Sequence, residues 1–110
     1  MNVSFKGYGE NVATFVATSD VAVGNIVKIS DDFEVSKAAS GDDFIGVCVG
    51  VRGGYAAVQL SGYVELPASA KINLGRTGLS AASATTVAAS QTGTKFNVIY
   101  STSTTVGFIL

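Results

Sequence analysis

A chain of 110 residues with a net charge of -1 has room for one domain and one hydrophobic core. Apolar residues make up 47% and charged residues only 14%, against a charged share of about 25% in ordinary soluble domains, so Ser, Thr, Gly and Ala must cover much of the surface. Seven basic residues scattered from Lys6 to Lys95 give no electrostatic footprint for nucleic acid, the longest apolar stretch, Phe44 to Val51, is too short to span a bilayer, and the single cysteine, Cys48, excludes an internal disulfide.

Met1 to Gly7 lacks the basic start and apolar run of a secretory signal, which points to synthesis in a reducing cytoplasm. Residues 1–9 read as an N-terminal arm. Phe5 and Tyr8 are large apolar groups set among Asn2, Ser4, Gly7 and Gly9, a composition too irregular for a core strand and too adhesive for an idle tail. They are the candidate partner contacts, and the arm is expected to add to an exposed sheet edge of a neighbouring subunit, the alternative being a short extra strand that closes this chain's own sheet.

Residues 10–110 then read as a single all-β domain, because short runs of Val, Ile, Phe, Tyr and Thr are broken by Gly, Asp or Ser and no helical stripe is sustained. Glu10 to Thr18 alternates Val12, Thr14 and Val16 against Ala13, Phe15 and Ala17, as a strand with one buried face does. Asn25 to Ile29 and Phe33 to Lys37 form a hairpin through Ser30-Asp31-Asp32. Phe44 to Val51 places Ile45, Val47, Val49 and Val51 on one face before Arg52-Gly53-Gly54 turns the chain into Tyr55 to Leu66. In that return strand Ala56, Val58, Leu60, Val64 and Leu66 share one parity, Gly62 marks a bulge or bend, and Pro67 ends the run.

Beyond Glu65 there is no acidic residue, and thirteen of the twenty-nine residues from Thr77 to Thr105 are Ser or Thr. This is a linker-like composition, yet Thr85 to Val87, Phe96, Val98, Tyr100, Val106, Phe108 and Leu110 keep strand-like apolar positions, and leaving Gly107 to Leu110 loose in water would be costly. The C-terminus is therefore expected to close the sheet. A faint internal repeat, with Val23-Gly24, Val35, Gly41 and Phe44 recurring as Leu74-Gly75, Val87, Gly93 and Phe96 at offsets of 51 or 52, suggests two related strand-turn-strand units. The expected fold is a small β-barrel or β-sandwich of mostly antiparallel strands.

Chemistry is sparse. Histidine is absent, which removes the usual general base, the usual partner of a nucleophilic Ser or Cys and the commonest transition-metal ligand. Cys48 sits in an apolar strand and reads as a buried, inert thiol. Asp31-Asp32 and Asp42-Asp43 could meet around a Ca²⁺ ion but lack the spacing of a calcium loop, and read as solvated turns. Gly50 to Gly54 lacks the Gly-Lys-Ser/Thr end of a phosphate loop and is a turn. Tyr8, Tyr55 and Tyr63 could stack on bases or sugars, although outward Tyr is common on strands. No enzyme, cofactor or metal is expected.

The order Ile45-Gly46-Val47, then Val58-Gln59-Leu60-Ser61-Gly62-Tyr63-Val64-Glu65-Leu66-Pro67, then Ile72-Asn73-Leu74-Gly75 resembles the phage cement, or head-decoration, proteins. The resemblance covers roughly Val21 to Gly75 and departs at Ala68, where that family often carries lysine. It implies a structural virion protein, assembled in the host cytoplasm, that binds the outer surface of the expanded capsid, with the major capsid protein as partner and a homotrimer as the favoured assembly. The alternative from the residues is a carbohydrate- or receptor-binding β module, which needs a concave site lined by aromatics.

Overall fold

A computed structural model describes residues 10–110. Ten strands follow in order: β1 (Asn11–Ala17), β2 (Ile26–Asp31), β3 (Glu34–Lys37), β4 (Gly46–Arg52), β5 (Tyr55–Ser61), β6 (Tyr63–Pro67), β7 (Gly75–Ala81), β8 (Val87–Ala89), β9 (Thr94–Ser101) and β10 (Thr105–Ile109). Among the described residues there is no helix, as the period-two patterning predicts.

The first five strands close into a barrel in the order β1-β3-β2-β4-β5, and the last five form a sheet in the order β6-β10-β9-β7-β8. All named pairs are antiparallel except β1 with β3, where Val16 meets Glu34 and Ala17 meets Val35 in parallel. Gly53 and Gly54, with φ of 57° and 85°, make the tight β4–β5 turn that their sequence demands. Gly62, at φ 95°, is more than a bend. It breaks the expected Tyr55-to-Leu66 strand in two and hands the chain from the barrel to the second sheet.

The internal repeat is real and extends to all five strands of each half. Replacing β1 to β5 by β6 to β10 reproduces the neighbour order of the barrel. The β2–β3 pairs Val27↔Lys37 and Ile29↔Val35 reappear 52 residues on as Leu79↔Ala89 and Ala81↔Val87. The β4–β5 pairs Cys48↔Val58 and Gly50↔Ala57 reappear 50 residues on as Val98↔Phe108 and Tyr100↔Gly107, with the same register slip at Val49 and at Ile99. Even the parallel closure has its counterpart: Ala17↔Val35 becomes the isolated parallel bridge Ala68↔Val87. The second unit is thus a barrel left ajar between β6 and β8. Gly24 and Gly75, each after an exposed apolar residue, share φ values of 92° and 91°. Phe44 and Phe96, by contrast, are not equivalent, since the offset has fallen to 50 where β4 and β9 begin.

Two clusters of buried apolar side chains replace the single core expected. One fills the first barrel with Val21, Val27, Val35, Cys48, Ala56 and Val58, against which Phe15, Ala17, Ile45 and Leu60 pack. The other is shared: Ile26, Ala38, Phe44 and Val47 from the first unit join Val64, Leu66, Ile72, Leu79, Val87, Val98, Val106 and Phe108 from the second. At its centre Phe44 stacks on Phe96 with ring centroids 5.4 Å apart and meets the edge of Phe108 at 6.2 Å. The C-terminal strand β10 lies between β6 and β9, with Val106 and Phe108 fully buried, so the apolar end does close the sheet.

One parity expectation fails for a definite reason. In β4 the register slips between Cys48 and Gly50, a bulge that inserts one residue and reverses the facing of the rest of the strand. Val47 and Cys48 are both buried, while Val49 and Val51, expected on one face with Val47, are 46% and 43% exposed, and Val51 pairs with the buried Ala56 on the other face.

Candidate interaction surfaces

The candidate contacts Phe5 and Tyr8, and the arm 1–9 that carries them, lie outside the described residues. The described residues themselves expose apolar side chains, of which only Tyr55 is a candidate contact from the sequence. Alternation on β1 turns Ala13, Phe15 and Ala17 inward and Val12, Thr14 and Val16 outward. Val16 pairs with Tyr55, which in turn pairs with Arg52, and the Val16 amide donates to the Phe33 carbonyl at 2.8 Å. These contacts draw Val16, Tyr55 and Phe33 to one end of the barrel, where the side chains of Tyr55 and Phe33 stand 54% and 83% exposed. Phe33 also adopts φ 54°, a left-handed conformation that disfavours side chains with a Cβ.

Across β1, β5 and β4 runs a shallow, mainly apolar groove lined by Thr14, Gly50, Val51, Arg52, Tyr55 and Ala57. Its floor is low because Ala57 and Gly50, paired across β5 and β4, carry almost no side chain. The corresponding face of the second unit is closed. There Gly107 takes the place of Ala57, and the phenol ring of Tyr63 lies where a Cβ on Gly107 would stand. The Tyr63 hydroxyl donates to Glu65 Oε2 at 2.7 Å. Partial burial, and secondarily the Glu65 carboxylate, push its ionisation well above the usual tyrosine range. A second groove, lined by Asn73, Arg76, Thr77, Ala89, Ser90 and Gln91, is more polar.

Charge is divided between the units. Residues 11–61 hold six acidic and three basic side chains, whereas residues 63–110 hold one acidic and three basic. The two aspartate pairs have separate local roles. Asp42 Oδ2 accepts from Lys28 Nζ at 2.7 Å and from the Ala39 amide at 2.9 Å, and these bonds, the Lys28 one first, hold its carboxyl below the ordinary value. Asp31 Oδ1 accepts from the Asp32 amide at the hairpin tip. Among the described residues no three His, Cys, Asp or Glu side chains come together as metal ligands. Cys48 is buried, as its strand setting predicts, with its thiol 3.4 Å from the Gly50 carbonyl. No helix among the described residues is long and apolar enough to cross a membrane.

No protein-family model matches the sequence, and no curated protein matches it. Among solved structures, the chain is similar to the head fiber gp8.5 N base of bacteriophage phi29, with a TM-score of 0.62 and 18% identity over 92% of this chain and 93% of that one. At that identity what the two share is the fold, and coverage of 92% means that the likeness extends over both five-stranded units.

Proposed function

We propose that this chain is a structural component of a phage virion that binds the outer surface of the capsid and stabilises the expanded head, with the major capsid protein as its partner and no enzymatic activity. The observation that carries the reading is the fold shared along almost the whole of both chains with a phage head fiber base. The chemistry of the surface supports it. A protein without histidine, with few charges and with Val12, Val16, Phe33, Tyr55 and Leu74 exposed on strands and turns is suited to lasting apolar contacts. A trimer is the proposed assembly, and it places the protein on the virion surface as a symmetric cluster.

The test is binding to purified expanded heads lacking decoration, from the phage or prophage whose genome encodes the chain. Co-sedimentation with saturable stoichiometry, together with a higher temperature of DNA release, is expected. Absence of binding to expanded heads would overturn the proposal, and binding without a change in release temperature would remove the stabilising role. The groove beside Tyr55 gives a carbohydrate-binding reading one aromatic and one cation, Arg52, to start from. Specific glycan binding by a chain that ignores capsids would establish that reading instead.

A further inference from the structure

Comparing the two units identifies what fits the open groove. In the second unit the pairs Glu65↔Gly107 and Gly107↔Tyr100 frame the position occupied by the Tyr63 ring. In the first unit the same positions are Thr14↔Ala57 and Ala57↔Gly50. Where Tyr63 would correspond, 51 residues earlier, the chain has Val12, which leaves the groove unfilled and remains 54% exposed. The Ala57 methyl raises the floor slightly, and Gly50 offers the room that Tyr100 takes up in the other unit. One aromatic ring is therefore the complement of this groove.

The chain carries a second copy of the segment that does this. Gly62-Tyr63-Val64-Glu65 has a counterpart in Gly7-Tyr8-Gly9-Glu10, with the same spacing of glycine, tyrosine and carboxylate. Tyr8 stands six positions before Thr14, about 20 Å of chain at full extension, which is reach enough for the groove of a neighbouring copy. Its rim cation, Arg52, is opposite in sign to Glu10.

We infer that Tyr8 of one copy seats over Ala57 and Gly50 in the β1-β5-β4 groove of the next, in the manner of Tyr63 over Gly107, and that this contact holds the self-associated form together. The inference rests on the self-association proposed above. Closure of the first barrel also means that this contact is side chain to sheet face, since β1 to β5 leave no free edge for strand addition.

The chain contains no tryptophan, so Tyr8→Trp in the full-length protein gives a single reporter. At concentrations where sedimentation shows association, its emission should be blue-shifted and shielded from acrylamide, and dilution through the dissociation range should return it to that of a hydrated indole. Tyr8→Ala should weaken association at least tenfold and Tyr8→Phe should largely preserve it. Thr14→Arg and Ala57→Glu, placed in the partner's groove, should each abolish the blue shift with little change in thermal midpoint. A hydrated indole in an associated protein would overturn the groove contact while leaving self-association standing. A blue shift that survives dilution to monomer would place the ring in its own chain and overturn it as well. A protein monomeric at all concentrations would defeat both statements, whatever its affinity for capsids.

Discussion

Truncating Phe44 to alanine tests whether the two units form one cooperative body. Phe44 lies in the chain of the first unit, yet its ring is 5% exposed and packs against Phe96 and Phe108 of the second. Removing a buried phenylalanine costs about 3–5 kcal/mol, combining lost transfer energy with the cavity left behind. Part of that is the aromatic contact itself, about 0.5–1.5 kcal/mol beyond area burial. Against a total stability of about 5–15 kcal/mol, this is a large fraction, and at roughly 4 °C per kcal/mol the thermal midpoint should fall by about 12–20 °C. Urea unfolding followed by far-ultraviolet circular dichroism and by tyrosine fluorescence should show both probes losing stability together. A loss below about 1 kcal/mol would refute the shared core, because no buried phenylalanine with intact neighbours is that dispensable. Two separated transitions, with only one displaced, would show that the units fold independently and that Phe44 serves only as an ornament of the second.

Three further outcomes are expected. Phe33→Asn should stabilise the isolated protein by up to about 1 kcal/mol, since a left-handed position favours asparagine and the ring packs little, and differential scanning calorimetry will register it; destabilisation would mean that the exposed ring has a structural role. Gly46→Ala drives a Cβ into the Gln59 backbone carbonyl, whereas Gly107→Ala meets only the movable phenol of Tyr63, so the first should cost about 1–3 kcal/mol or more and the second clearly less, as chemical denaturation would measure. Asp42, whose pKa is depressed by Lys28, contributes stability that is present above the ordinary value of 3.8 and is lost as pH falls through its lower folded value; Asp42→Asn should therefore flatten the acid limb of the stability profile, and an unchanged limb would show that the pair contributes nothing there.

What could be read from the residues obeyed local rules. The turn at Gly53-Gly54, the outward row Val12, Thr14 and Val16, and the buried row Ala56, Val58, Val64 and Leu66 depend on glycine conformation and on period-two alternation, both properties of neighbouring residues. β7 was not legible because Gly75-Arg76-Thr77-Gly78-Leu79-Ser80-Ala81 has almost no alternation; it becomes a strand by pairing with β9 over five positions and with β8 over three. The bulge after Cys48 is set by where β4 must meet β5, which no local pattern encodes, so Val49 and Val51 lie on the opposite face. The groove was hidden for a related reason. Thr14, Ala57 and Gly50 are ordinary residues spread over three strands, and only their lateral register makes them one floor.

The duplicated architecture explains why one half is closed and the other ajar. In the first unit β2 and β4 pair at only two positions, which leaves their ends free to curl round until β1 meets β3. In the second, β7 and β9 pair at five positions, a longer and stiffer ribbon, while the partner of the closing bridge, β8, has only three residues. In the shared core Ile26, Phe44 and Val47 of the first unit are buried together with the side chains that line the second. A tie across the same boundary is the Ile26 amide, which donates to the Ala84 carbonyl at 2.7 Å, and another is Gly41, whose amide reaches the Ala81 carbonyl at 2.8 Å. Shared burial and these backbone bonds join the two units by more than their linker.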